Sequence, residues 1–170
     1  KASMLNALAA YQRGFAGRKV QICYAMKANS SLGVLQVFAK AGCGFDIVSG
    51  GELDRVIAAG GDPKLVIFSG VGKTRAEMKQ ALQVGVGCFN VESEAELEVL
   101  SAVALAMNKT ANVSVRVNPN VDPQTHPYIS TGLKGSKFGV AHDRTMATYQ
   151  RAATLAGLKV VGIDCHIGSQ

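Results

Sequence analysis

A parallel α/β architecture, a (β/α) barrel of the TIM type with about six of its eight strands in hand, is the fold class this sequence predicts. Two observations carry the prediction. Short β-rich apolar runs alternate with helical patterns along the chain, and nearly every run ends in a polar or reactive residue.

The apolar runs are VQICYAM (20–26), CGFDIV (43–48), LVIFS (65–69), GCFNV (87–91), VSVRVN (113–118) and VVGIDCH (160–166). An amphipathic helical pattern opens the chain. Further helices are expected near 31–41, 50–59, 74–84, 93–107 and 143–156. Strand, helix, strand at near-even spacing is the pattern of βαβ units and a parallel sheet. The strands are apolar almost throughout, as expected when both faces are covered. Three helix starts carry a capping box, in which a Ser or Thr and a Glu three residues later satisfy free backbone N–H groups. They are Ser49 with Glu52, Thr74 with Glu77, and Ser93 with Glu96. This pattern alone suits an open doubly wound sheet as well as a barrel. A whole barrel takes about 250 residues, so a barrel here stops after its sixth strand.

The strand ends decide between the two. In order they offer Lys27 and Asn29, Asp46 and Ser49, Ser69, Asn90, Arg116 and Asn118, then His166 and Ser169. In a barrel these ends converge on one mouth, whereas an open sheet strings them along an edge. Each residue also has a plainer reading. Lys27 and Asp46 suit solvated loops, and His166 suits a satisfied core histidine. Arg116 is harder to set aside, because a buried guanidinium needs an anionic or carbonyl partner. Cys165 and His166 are adjacent, so they are expected to face opposite ways and not to share a metal. No metal site is expected.

Composition excludes several classes. The 170 residues are 48% hydrophobic and 18% charged, which argues one folded domain rather than disorder. The net charge of +6 is scattered and aromatics make up 6%, so no basic, aromatic-laced nucleic-acid face is expected. No apolar run approaches the length of a membrane span, and the opening helix lacks a signal-peptide pattern. Cys23, Cys43, Cys88 and Cys165 form no Cys-x-x-Cys pair. They read as small buried hydrophobes, which favours the cytoplasm.

The segment from Asn118 to Gly139 is too long for an ordinary connection and reads as a binding loop. It carries His126, Tyr128, Thr131, Lys134, Ser136 and Lys137, donors suited to a carboxylate-bearing ligand. Gly70-Val71-Gly72-Lys73-Thr74 imitates the end of a phosphate-binding P-loop. That motif needs a glycine where Ile67 stands, so a P-loop nucleotide hydrolase is a distant alternative.

Tyr24-Ala25-Met26-Lys27-Ala28-Asn29 resembles the cofactor-lysine motif of the alanine-racemase-like (fold type III) barrel enzymes that use pyridoxal 5′-phosphate. Phe45-Asp46 with Ser49-Gly50-Gly51-Glu52, and His166-Ile167-Gly168-Ser169, resemble their second- and sixth-strand motifs. Within that group, His126-x-Tyr128-Ile129-x-Thr131-Gly132 followed by Ser136-Lys137-Phe138-Gly139 is similar to the bacterial diaminopimelate decarboxylases. The likeness covers essentially the whole chain.

The resemblance implies decarboxylation of meso-2,6-diaminopimelate to L-lysine, the last step of lysine synthesis. It implies Lys27 as cofactor anchor and catalytic residue, with Asp46, Arg116, His166 and Ser169 as cofactor-binding partners. His126, Tyr128 and Thr131 would meet substrate. Desolvation and Arg116 would favour a neutral Lys27 amine. Residues 1–170 would be part of the cofactor-binding barrel. The later strands, a phosphate loop, an acidic partner for the pyridine nitrogen and a β-rich C-terminal domain would lie elsewhere, in a homodimeric full-length enzyme. This stretch alone is therefore expected to be inactive. Related decarboxylases acting on ornithine, arginine or carboxynorspermidine are the nearest alternatives. A racemase and a non-enzymatic pyridoxal-phosphate carrier barrel are more distant.

Overall fold

The computed structural model describes residues 1–122, 124 and 138–168. In chain order it contains α1 (Ala2–Gly14), β1 (Cys23–Ala25), α2 (Leu32–Lys40), β2 (Gly44–Ile47), α3 (Gly50–Ala58) and β3 (Val66–Phe68). Then follow α4 (Arg75–Val84), β4 (Cys88–Val91), α5 (Glu94–Ala106), β5 (Ala111–Asn118), β6 (Val140–Ala141), α6 (Thr145–Thr154) and β7 (Leu158–Asp164). All pairings are parallel, running β1-β2-β3-β4-β5. Strand β5 then forks, its lower part pairing with β7 and its last two residues with β6. The six expected strands are present, in β1 to β5 and β7. The extra one, β6, is two residues long, too short for any periodic signal.

Alternation along the strands separates a dry face from a polar one. Phe45, Ile47, Val66, Phe68, Phe89, Val91 and Val113 are buried in one core with Leu35, Leu53, Val56, Met78, Leu97 and Leu100 of the helices. Phe68 and Phe89, paired across β3 and β4, stack at 5.9 Å between centroids. Fully burying each such side chain is worth ~1.5–3 kcal/mol, and Phe68→Ala would cost about 3–5 kcal/mol. The intervening positions Asp46, Ile67, Asn90 and Arg116 face the barrel interior and line its cavity.

Of the three expected capping boxes, one is complete. Thr74 Oγ1 accepts from the Glu77 N–H, and the Glu77 carboxylate accepts from the Thr74 N–H. Ser49 and Ser93 cap their helices through Glu52 N–H and Glu96 N–H. Their glutamates instead reach one residue further back, to the N–H groups of Val48 and Glu92. Those strand ends thus gain an acceptor that the sequence pattern assigned elsewhere. No helix among the described residues is long and apolar enough to cross a membrane.

Candidate functional site

Lys27 sits in a 3-10 turn that directly follows β1. The turn is held from both sides. Met26 is fully buried, and Tyr24, stacked on Phe38 at 4.4 Å, donates its hydroxyl to the Asn29 carbonyl at 3.2 Å. Asn29 Oδ1 accepts from the Ser31 N–H, leading the chain into α2. Between these anchors Lys27 projects into a cleft of about 680 Å³ at the C-terminal ends of the strands. Asp46, Ser69, Asn90, Glu92, Arg116, Asp164, Cys165 and His166 line the same cleft. Lys27, Asp46, Arg116 and His166, predicted from four separate strands, are therefore brought together.

Two polar networks build the walls. In the first, Ser69 Oγ donates to Asp46 Oδ1 at 2.7 Å and accepts from Asn90 Nδ2 at 3.2 Å, while Ser114 Oγ donates to Asn90 Oδ1. In the second, Glu92 accepts from Arg116 Nη1 and the Gly70 N–H, each at 3.1 Å, and from the Gly139 N–H at 3.3 Å. Both glycines are needed at these contacts. Gly70 has φ +99° with Val48 beside it, and a Cβ on Gly139 (φ +75°) would lie 2.8 Å from the Arg116 carbonyl oxygen. The Arg116 guanidinium also lies over the Phe138 ring at 5.0 Å, and its Nε is 4.0 Å from Asp164.

The partner that a buried Arg116 requires is thus Glu92, with Asp164 behind it. Sequence reasoning missed both. Glu92 is the first residue beyond β4, one past the strand end read from the pattern. Asp164 depends on an irregularity in pairing: β5 and β7 match Val113 with Val160 but Ser114 with Gly162. The skipped residue, Val161, reverses the alternation above it and brings Asp164, rather than Ile163, opposite Arg116.

Electrostatics follow this geometry. Burial raises the Asp164 carboxyl above its ordinary range, against the opposing pull of Arg116. His166 is held below the usual histidine value by burial first, then by Arg116 and Lys27. The imidazole therefore senses the Lys27 charge across the cleft. Lys27 itself is exposed rather than desolvated as expected. Among the described residues β1 pairs only with β2 and β7 only with β5, so Lys27 and His166 flank the open side of the sheet.

Three expectations change. Cys165 and His166 both line the cleft, because β7 ends at Asp164 and strand alternation ends with it. Cys165 is exposed and Cys23 half-buried, whereas Cys43 and Cys88 are buried as expected. The P-loop alternative fails on Lys73. Its ammonium is wholly buried and bonded to the Gly70 carbonyl (2.7 Å), the Asn90 carbonyl (2.7 Å) and Glu96 Oε1 (2.8 Å), so all three donors are taken by protein. The expected ligand-binding residues His126, Tyr128, Thr131 and Ser169 lie outside the described residues. Among the described residues no His, Cys, Asp and Glu cluster is arranged to hold a metal ion.

Comparison with known proteins places this geometry. The family model for the pyridoxal-binding domain of pyridoxal-dependent decarboxylases matches residues 1–170. The diaminopimelate decarboxylase of Pseudomonas aeruginosa is 63% identical over 161 residues, covering 95% of this chain and 39% of that protein. The diaminopimelate decarboxylase of Neisseria meningitidis serogroup A is 54% identical over 170 residues, 42% of its own length. Among solved structures, Helicobacter pylori diaminopimelate decarboxylase complexed with L-lysine superposes with a TM-score of 0.94 at 45% identity. That match covers 97% of this chain and 42% of the solved one. The arginine decarboxylase of Paramecium bursaria Chlorella virus gives 0.82 at 25% identity, covering 96% and 41%. This chain spans about two fifths of the length of the curated relatives it matches.

Proposed function

We infer function from one premise: the chain belongs to the pyridoxal-dependent decarboxylases, through their pyridoxal-binding domain. Its cofactor is pyridoxal 5′-phosphate. The donor set suits that group. One amine, Lys27, stands in a cleft with a guanidinium, an imidazole and carboxylates, as an aldehyde-bearing, anionic aromatic ring requires.

The reaction we propose for the whole protein is decarboxylation of meso-2,6-diaminopimelate to L-lysine and carbon dioxide. The convergence of Lys27, Asp46, Arg116 and His166 on one cleft carries this reading. The likeness to diaminopimelate decarboxylases at 54–63% identity supports this choice of substrate. When bound, the cofactor supplies the electron sink for the pair left behind as the α-carboxylate departs.

The protein's part is placement and charge. Lys27 would hold the cofactor through its aldehyde, as the one amine among the described residues of the cleft. Asp46 orients the Lys27 nitrogen. His166 would pack against the cofactor ring, its basicity lowered by burial and by Arg116 and Lys27. Arg116, braced by Glu92, would offer its remaining donors to an oxygen of the cofactor. Ser169 would hold the phosphate, and His126, Tyr128 and Thr131 would meet the substrate. Residues 1–170 form part of the cofactor barrel, which further strands and a β-rich domain complete in a cytoplasmic homodimer.

The rival within the family is a decarboxylase of another basic amino acid, a class represented by the viral arginine enzyme. Carbon dioxide release by the full-length protein from meso-diaminopimelate, ornithine and arginine separates them. Diaminopimelate is expected to give the highest kcat/KM. A higher value on ornithine or arginine overturns the assignment.

A further inference from the structure

Ser114 is a hydroxyl in the interior of β5, between Val113 and Val115, 5% exposed and not among the residues lining the cleft. Valine would suit the strand equally well, and a buried hydroxyl is unfavourable unless it is hydrogen-bonded. Its side chain donates to Asn90 Oδ1, Asn90 Nδ2 donates to Ser69 Oγ, and Ser69 Oγ donates to Asp46 Oδ1. The chain runs from β5 through β4 and the residue after β3 to β2, and its polarity runs one way. The Ser69 hydroxyl donates its hydrogen bond to the Asp46 carboxylate oxygen. Ser69 then has lone pairs for the Asn90 amide, whose carbonyl in turn takes the Ser114 hydroxyl. Among the described residues no hydrogen bond reaches Asp46 Oδ2.

We propose that Ser114, Asn90 and Ser69 form a one-way relay that fills Asp46 Oδ1 and leaves Oδ2 as the acceptor for the Lys27 amine. Ser114 is then a positioning residue for cofactor binding, acting from a layer below the site. The relay is more than packing, because each member satisfies the next and the last is a group of the cleft. A bond to a charged acceptor, backed by further bonds, is also stronger than an isolated neutral one. The proposal rests on Lys27 as the cofactor anchor.

The test uses the full-length protein stripped of cofactor and titrated with pyridoxal phosphate, following fluorescence quenching and the visible band of the lysine-bound cofactor. Ser114→Ala is expected to weaken binding about tenfold, as loss of one buried hydrogen bond in the chain that leads to Asp46 implies. Ser69→Ala should weaken it at least as much, and Ser114→Thr, which keeps the hydroxyl, should restore it. A purely structural role would instead lower the melting temperature of the cofactor-free protein without changing affinity in the folded fraction. Unchanged affinity in Ser114→Ala, or equal weakening in Ser114→Thr, overturns the relay. Should Ser114→Ala not fold, unchanged affinity in Ser69→Ala overturns it as well. The two claims fail differently. A normal band with an indifferent Ser114→Ala sinks the relay alone, whereas a band that survives Lys27→Ala sinks the anchor and the relay with it.

Discussion

Lys73 and Arg116 are both cations buried in an apolar barrel, and each meets a glutamate, yet they serve opposite ends. The Lys73 ammonium has no solvent exposure, and its three donors end on two backbone carbonyls and Glu96. It ties the turn after β3 to the end of β4 and the start of α5. Arg116 retains 10% side-chain exposure, spends one nitrogen on Glu92 and faces the cleft. A closed set of partners makes a brace, whereas an open set makes a site. The difference comes from chain position. Lys73 lies behind its loop, while Arg116 occupies an inward-facing position on β5. The two are linked through Gly70, whose carbonyl takes Lys73 and whose N–H takes Glu92.

The largest effect expected from breaking this contrast is at the brace. Lys73→Met leaves Glu96 buried without its cation, and should cost about 3–5 kcal/mol in denaturant unfolding. Adding Glu96→Gln should recover much of that loss. Glu92→Gln, which must turn an NH₂ toward Arg116 or toward the glycine N–H groups, should cost less, about 1–3 kcal/mol. It should nevertheless weaken pyridoxal-phosphate binding, which the Lys73 and Glu96 variants should leave unchanged in their folded fractions. Gly70→Ala strains the link between the two pairs, with φ at +99° and Val48 Cβ 3.2 Å from the added atom. It should cost about 1–3 kcal/mol.

The smallest effect sharpens the picture of the cleft. By NMR, His166 should titrate below its ordinary 6.5. Arg116→Met should raise that midpoint more than Lys27→Met does, following the order of the two charges. The linkage sign is that of a depressed base: its contribution to stability is present above 6.5 and lost as pH falls through the folded value. A midpoint at or above 6.5 would show that burial, Arg116 and Lys27 together do not outweigh Asp164 and Asp46 at the imidazole.

Much of this was legible in the sequence because periodicity reports burial. The six barrel strands, their helices and the four cleft residues follow from alternation and from strand ends. What escaped depends on register. One extra residue in β7, Val161, decides that Asp164 faces Arg116, and nothing in VVGIDCH marks it. Glu92 was overlooked because Asn90 satisfied the strand-end reading two residues earlier. Ser114 lies mid-strand, where a small polar residue among valines reads as tolerated rather than used. The capping serines were found, but where their glutamates point depends on the N–H groups that the strand ends leave free.

The central claim is that a single lysine, Lys27 and not the buried Lys73, carries the cofactor. Borohydride reduction of the full-length protein loaded with pyridoxal phosphate, followed by peptide mass mapping, tests it most directly. The phosphopyridoxyl mass should appear on the peptide containing Lys27 and vanish in Lys27→Ala. The same mass on a peptide containing Lys73, or on any lysine in the Lys27→Ala protein at equal yield, would contradict the account.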